Sequence, residues 1–434
     1  MKNKKNLLTI ILITLALTWI AANINWGGDK PKWIVLSDGK GYYAYLPAVF
    51  IYHDLNFGFF EKKEMDPAAD PKLFYDYRVF SDGHTINKCF CGIALLQMPF
   101  FLMAHLIESI SGGQADGFSP LYYIFIQIAT IFYYFLGLLF LSKLLFLYKF
   151  KHSSVILTLI TVTFGTNAFY YIIREAAMPH IYSFALIAAF MYYSKLYFSD
   201  HRPLRILIIS VLLGLIVLVR PVNIIIVFLL PFLSSSWYSY KRGFYTLFHK
   251  PLFLIAAVII FIIIGSIQLM IYRISTGSFL IDSYGNEYFE FFNPHVISFL
   301  FSYKKGAFLY TPILFISLFG LYHFWKNARY NFYCLVFFII VIFYVLSSWW
   351  NWWYGGSFSS RVLIDYLPVF MILLAAALDS FRKKIPKGLF ITLIVLLIVV
   401  NQIQIYQYRY GAIHYENMDK KQYWDTFLRI DKLL

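Results

Sequence analysis

Runs of about twenty apolar residues recur along the whole chain, the length an α-helix needs to cross the hydrocarbon core of a bilayer. They begin near Leu7, Leu121, Val155, Ile181, Leu204, Val222, Leu252, Ala307, Asn331, Val362 and Leu389. A further run, "CGIALLQMPFFLMAHLIESI", is ambiguous. Backbone polar groups in hydrocarbon must be satisfied within their own segment, so such runs fold as helices. Of the 434 residues 60% are hydrophobic and 14% charged, against about 25% charged in soluble domains. The fold class is therefore an all-α polytopic membrane protein. The formal net charge of +15 is assigned to loops on one side of the membrane, and no nucleic-acid partner is expected. Cys89, Cys91 and Cys334 are too few and badly spaced for a disulfide framework or a zinc site.

Loop charges decide the ambiguous run. If Cys91 to Ile110 does not cross, the basic loops "KFKHSS", "SDHRPLR", "YKRGFYTLFHK", "WKNAR" and "DSFRKKIPKG" all fall on the side of the amino terminus. That partition satisfies the positive-inside rule, and a crossing would break it. We expect about eleven transmembrane helices (range 10–13), with 91–110 interfacial or re-entrant and interfacial helices in a long first outer loop, 25–90. The first run is read as an uncleaved helix with its Lys-rich end in the cytoplasm. One transmembrane domain is expected over 1–405, followed by a short polar amphipathic tail, 406–434, on the outer side. Arg220-Pro221 divides the run from Leu204 to Leu233 into a hairpin or one long broken helix.

The outer face then carries the polar groups of interest. In "WIVLSDGKGYYAYLPAVF", Asp38 stands where the chain leaves the bilayer, with Gly39 and Gly41 able to admit a ligand close to the backbone. Tyr42 and Tyr43 supply amphipathic rings suited to a sugar or headgroup. Arg78, Lys88, Arg174, Arg220, Lys304, Lys305 and Arg361 are cations on the side where the charge rule disfavours them. Several at once point to an anionic ligand, most simply a phosphate at membrane depth. Glu175 and His180, in "IIREAAMPHIYS", form the best further polar pair.

A carboxylate can act as general base on a hydroxyl, and cations can neutralise a departing phosphate. Together they suit transfer of a sugar from a lipid-linked phosphate to an acceptor hydroxyl. At this point the sequence resembles the GT-C glycosyltransferases, membrane enzymes that use polyprenyl-phosphate sugars, especially the branch of protein mannosyltransferases and lipid A aminoarabinose transferases. The similarity lies in "SDGKGYYAYLPA", in "NKCFCGIALLQMPFFLMAHL", in "TFGTNAFYYIIREAAMPHIYSFALIAAF" and in "WWYGGSFSSRVLIDYLP". The resemblance implies Asp38 as the catalytic base and Lys88 as the holder of the donor phosphate. Two features depart from the family pattern. Asp38 is followed by Gly39 rather than by a second acid, so a second acid, if needed, must come from Asp54, Glu175 or elsewhere. Lys88 is followed by Cys89 where relatives commonly have proline.

The resulting expectation is an inverting hexosyl- or pentosyltransferase at the outer face of the cytoplasmic membrane. Lys88, Arg361 and Arg220 would bind the donor phosphate, and Glu175 would orient sugar or acceptor. Lower-ranked substrate contacts are His180, Tyr42, Tyr43, Arg174 and Lys304. No cofactor is required; a divalent cation at Asp38 is left open, and no residue is assigned as a metal ligand. The expected partners are a polyprenyl-phosphate sugar, membrane lipid and a hydroxyl acceptor on a glycan, lipid or protein. No large soluble carboxy-terminal domain follows the spans, which weighs against a peptide acceptor. The alternatives are a transporter or flippase of lipid-linked sugars and a non-catalytic partner in envelope glycan assembly. A transporter needs charges buried mid-span, and these are almost absent.

Overall fold

The computed structural model of the chain describes residues 2–64, 74–81, 83–380 and 384–433. Residues 65–73 and 82 of the expected outer loop lie outside them. Among the described residues the strands are one short antiparallel pair, β1 (Arg78–Ser81) and β2 (His84–Asn87), with Arg78 opposite Asn87. The rest of the regular structure is helical.

Seven helices are long and apolar enough to cross a membrane: Lys4–Asn25, Gly92–Ser111, Pro120–Leu147, His180–Asp200, Pro251–Thr276, Arg329–Ser347 and Ile385–Arg409. Buried polar contacts fix which residues share a depth. Asn6 Nδ2 bonds Ser142 Oγ at 3.3 Å, and Asn25 Nδ2 bonds Gln127 Oε1 at 3.2 Å. The first helix and Pro120–Leu147 are therefore antiparallel, with these contacts roughly 25 Å apart at 1.5 Å per residue. The chain leaves the first helix and enters Pro120–Leu147 at one end of the bundle, the far end. Everything between belongs to that end.

Gly92–Ser111 consequently adds no crossing, although its length would allow one. Leu96 O accepts from the Tyr133 hydroxyl at 3.1 Å, and His105 Nδ1 meets the Tyr122 hydroxyl at 2.7 Å. The helix thus lies against the far-end part of Pro120–Leu147, as the loop charges require.

Five further crossings are made by shorter or broken segments. They are His152–Phe164 with Ala168–Ile173; Leu204–Val219; Pro221–Leu229 with Leu230–Ser234; Ala307–Tyr310, Ile313–Ser317 and Gly320–Asn327 in series; and Leu367–Ser380. Near-end contacts include Lys151 N to Asp379 Oδ2 (2.8 Å) and His323 Nδ1 to Ser380 Oγ (3.0 Å). Far-end contacts include Gln402 Nε2 to Phe164 O (2.6 Å) and Asn401 Nδ2 to Tyr310 O (2.8 Å). With the six remaining long helices, eleven segments among the described residues run from one end of the bundle to the other, seven of the helices being long and apolar enough by themselves to span when Gly92–Ser111 is included. Leu204–Val219 and Pro221–Ser234 form a hairpin at the far end: Arg220 is extended (φ −151°), as a residue before proline prefers.

Leu367–Ser380 is buried from Leu367 to Leu378 and forms the axis of the bundle. The last long helix continues to Arg409, past the expected boundary at 405. The chain then folds back on the far end: Ile413, Met418 and Tyr423 are buried, and Gln404 Nε2 bonds the Tyr423 hydroxyl at 2.9 Å.

Candidate active site at the far end

Ser37 turns the chain in a left-handed conformation (φ 46°) and delivers Asp38 to the first position of the helix Asp38–Pro47. Gly39 and Gly41 serve packing here rather than ligand approach. A Cβ on Gly39 would lie 3.0 Å from Ala177 Cβ, and one on Gly41 would lie 2.7 Å from Cys89 Sγ. The helix is thereby pressed between the Arg174–His180 turn and the strand-to-helix connection that carries Lys88.

Asp38 Oδ1 accepts from the Tyr75 hydroxyl at 2.6 Å, and Oδ2 from Arg361 Nη2 at 2.8 Å. Burial alone would raise the Asp38 carboxyl. The Arg361 charge, both hydrogen bonds and the Lys88 charge outweigh that, and hold it below the usual carboxylate range. The carboxylate is ionised at neutral pH, and its side chain is 31% exposed. Solvent and a substrate can reach it.

Four other titratable groups, Lys88, Arg220, Glu175 and Lys305, stand around this pair. Lys88 Nζ is bonded to Glu287, and the Tyr284 ring lies 5.6 Å from it. Arg220 Nη1 bonds Asp365 Oδ2 at 2.8 Å; the same carboxylate accepts from Asn223 Nδ2 (2.8 Å) and meets His180 Nδ1 (2.9 Å). Asp365 is fully buried, so each of these contacts compensates a charge removed from water. Glu175 is raised by burial to about 7, against the opposing charge of Arg361 and a bond from Tyr170. Lys305 is lowered by burial to about 7, and its ammonium is bonded to the carbonyls of Ser357 and Tyr415.

An apolar cavity of about 450 Å³ opens beside these groups, between Leu204–Val219 and Pro251–Thr276. Its lining includes Phe90, Leu218, Pro221, Gln268 and the loop residues Leu280, Ile281 and Asp282. Phe90 lies two residues beyond Lys88, and Pro221 directly follows Arg220. The backbone next to Arg220, and the residue two beyond Lys88, thus contribute to the cavity wall.

The structure therefore brings Asp38, Arg361, Lys88, Arg220 and Glu175 to one place, with Tyr42 buried within electrostatic reach of Asp38 and Arg220. Other expected contacts lie apart. Tyr43 turns away, its hydroxyl bonded to Gly117 O and its ring against Phe101 and Tyr123. His180 stands behind Arg220, bound to Asp365. Arg174 donates to Asn25 Oδ1 at 3.2 Å, and Lys304 sits 3.4 Å over the Trp353 ring. Asp54 caps its own turn by accepting from Asn56 N and Gly58 N, which leaves Glu175 as the second acid near Asp38. Among the described residues no three of His, Cys, Asp and Glu are grouped to hold a metal ion.

Sequence reasoning gave no role to Tyr75 or Asp365, and it named Glu287 only among the acids of a late outer loop, with acceptor contact or solvation both open. Asp365 carried a readable signal: a lone carboxylate inside the apolar run "RVLIDYLPVF", where an isolated charge requires a partner. Tyr75 and Glu287 lie in polar loops where nothing distinguishes them.

No family model matches the sequence, and no curated protein is similar to it. Solved structures are similar in fold. One is the archaeal oligosaccharyltransferase AglB from Archaeoglobus fulgidus, in complex with an inhibitory peptide and a dolichol-phosphate (TM-score 0.51, 11% identity, 96% of this chain and 57% of that one). Another is ArnT from Cupriavidus metallidurans bound to undecaprenyl phosphate (TM-score 0.51, 11% identity, 92% of this chain and 70% of that one). The chain thus spans little more than half the length of the oligosaccharyltransferase. At this identity the likeness is one of fold alone, shared with AglB and ArnT.

Proposed function

We propose that the protein transfers a sugar from a polyprenyl-phosphate donor to an acceptor hydroxyl, with inversion, at the outer face of the cytoplasmic membrane. The observation that carries this reading is an ionised, solvent-reachable Asp38 among three cations beside an apolar cavity. The similar structures support the donor class, since AglB was solved with dolichol-phosphate and ArnT with undecaprenyl phosphate. The orientation rests on the positive-inside rule, which assigns the basic near end to the cytoplasm.

In this reading the isoprenoid lies in the cavity and the phosphate meets Lys88, Arg220 and Arg361. Asp38 takes the acceptor's hydroxyl proton as the oxygen attacks the anomeric carbon from the face opposite the phosphate. The bond from that carbon to the phosphate oxygen breaks, and its electron pair leaves with the polyprenyl phosphate. The products are an inverted glycoside, the lipid phosphate and a protonated Asp38. Glu175 orients sugar or acceptor.

Each of the three cations is already paired with a carboxylate: Lys88 with Glu287, Arg220 with Asp365 and Arg361 with Asp38. A phosphate must therefore compete. Asp365 is fixed by several partners, whereas Glu287 is held by Lys88 on a loop and is 26% exposed. Glu287 is the carboxylate the phosphate displaces. When Arg361 also turns toward the phosphate, Asp38 loses the charge that depresses its proton affinity and becomes a stronger base.

The test is Asp38→Asn in cells lacking the native gene, with envelope glycans read by mass spectrometry and membrane levels matched. Loss of a positioned base costs about 10²–10⁴-fold in turnover, so the glycan missing from the deletion strain stays missing. Full restoration of that glycan by Asp38→Asn would remove Asp38 from the chemistry.

A further inference from the structure

At the near end, opposite Asp38, the chain turns by 118° between Pro221–Ser234 and the helix Trp237–Phe248. Ser235 takes a left-handed conformation (φ 63°), and Ser236 caps the new helix by accepting from Ser239 N at 3.1 Å. One face is fixed to the end of His180–Asp200: the Tyr197 hydroxyl donates to Gly243 O at 2.6 Å, and Ser239 Oγ to Phe198 O at 2.6 Å. The other face exposes Trp237, Tyr238 and Tyr245 together with Lys241 and Arg242. No Asp or Glu occurs between Asp200 and Asp282, and Asp200, at the end of the neighbouring helix, is paired with Arg202 and Arg205 rather than with these cations. A basic helix with exposed aromatic rings, lying across the spans, fits the headgroup layer of a bilayer.

Beside it runs an apolar groove of about 260 Å³ between Phe228 and Pro231 on one wall and Tyr330, Tyr333, Cys334 and Phe337 on the other. Tyr333 and Phe337 are more than half exposed, so the groove opens to the lipid-facing perimeter. Ser234 Oγ meets the Tyr330 hydroxyl at 3.5 Å, and Tyr240 of the turned helix is an electrostatic neighbour of Tyr330. Groove and basic helix are therefore joined. Arg329, exposed at the start of the helix that forms the second wall, adds a third cation at the same level.

We propose that this is a binding site for an anionic phospholipid of the near-end leaflet, with one acyl chain in the groove and the headgroup phosphate on Lys241, Arg242 and Arg329. The charge pattern selects the headgroup. A zwitterionic lipid brings an ammonium that the same cations repel, whereas phosphatidylglycerol brings only the phosphate and hydroxyls. The site lies at the opposite end of the bundle from Asp38 and is independent of the reaction proposed above.

Native mass spectrometry of the detergent-purified full chain, offered equal amounts of phosphatidylglycerol and phosphatidylcholine, tests it. Juxtamembrane basic residues act on anionic lipid strongly enough to give about a tenfold preference for phosphatidylglycerol. The triple variant Lys241→Gln, Arg242→Gln, Arg329→Gln, altered only at exposed positions, should take up both lipids alike. Cys334→Trp, which fills the groove, should lower retention of the first bound lipid while leaving the charge intact. Equal uptake by the unaltered protein, or an undiminished preference in the triple variant, would overturn the proposal.

Discussion

Asp38 and Glu175 show how the same residue class is tuned in opposite directions within one site. Asp38 keeps a hydroxyl and a guanidinium and stays ionised; Glu175 is half-buried among tyrosines and holds its proton to about 7. An unfolded chain releases the Glu175 proton near 4.5. Between those values the folded protein keeps a proton that the unfolded chain has lost. The stabilisation is therefore complete below the lower value and disappears as pH rises through about 7, a change of about 3 kcal/mol. Glu175→Gln cannot titrate. The thermal unfolding midpoint of the unaltered protein in detergent should fall relative to that of the variant between pH 5 and pH 8. Parallel curves would show that Glu175 titrates as an ordinary carboxylate. The residue scale also marks what the sequence could reveal. Asp38 and Lys88 stood out as polar groups at the edge of apolar runs. The partner of Asp38, Arg361, lies 323 positions away, and no local pattern encodes such a contact.

Among the elements, the loop from Gly277 to His295 joins two functions. Leu280, Ile281 and Asp282 wall the cavity, and Glu287 holds Lys88. If the donor phosphate displaces Glu287, removing that charge should favour the donor. Glu287→Gln is expected to lower KM for the polyprenyl-phosphate sugar several-fold, with kcat changed less. A raised KM would mean that Glu287 positions Lys88 instead of competing with the ligand. A second element is the crossing of Gly92–Ser111 over the end of Leu204–Val219. A Cβ on Gly92 would stand 2.4 Å from Leu218 C and 2.5 Å from Leu218 O, backbone atoms that cannot turn aside. Gly92→Ala should destabilise by about 1–3 kcal/mol, typical of overpacking, and its unfolding midpoint should drop below that of a control such as Gly388→Ala, where a Cβ meets nothing within 4 Å. The long crossings were legible because each is one uninterrupted apolar run. The broken ones were legible as apolar but not in outline, since Pro221 and Pro312 interrupt them.

For the whole molecule, the number of crossings decides on which side every loop lies. Gly92–Ser111 passes any length test for a span, yet the pairing of Asn25 with Gln127 requires both of its flanks to lie at the far end. The near-end charges agree with that parity. Lys151, Arg202, Lys241, Arg242, Lys326 and Arg329 are exposed there, while Asp200 is paired with Arg202 and Arg205 and Asp379 caps the backbone at Lys151. With eleven crossings the two ends of the chain lie on opposite sides, and the folded-back tail shares a side with Asp38. Single cysteines at exposed positions in a Cys334→Ser background test this directly, because Cys89 and Cys91 are buried whereas Cys334 is partly exposed. In intact spheroplasts a membrane-impermeant maleimide should label Asn56→Cys, Ser111→Cys and Lys420→Cys alike, and should reach Lys151→Cys only after permeabilisation. If Asn56→Cys and Ser111→Cys are labelled from different sides, Gly92–Ser111 crosses the membrane, every later loop changes side, and Asp38 no longer shares a compartment with Arg361. The two residues bond at 2.8 Å, so that result would contradict the site itself as well as the count of crossings.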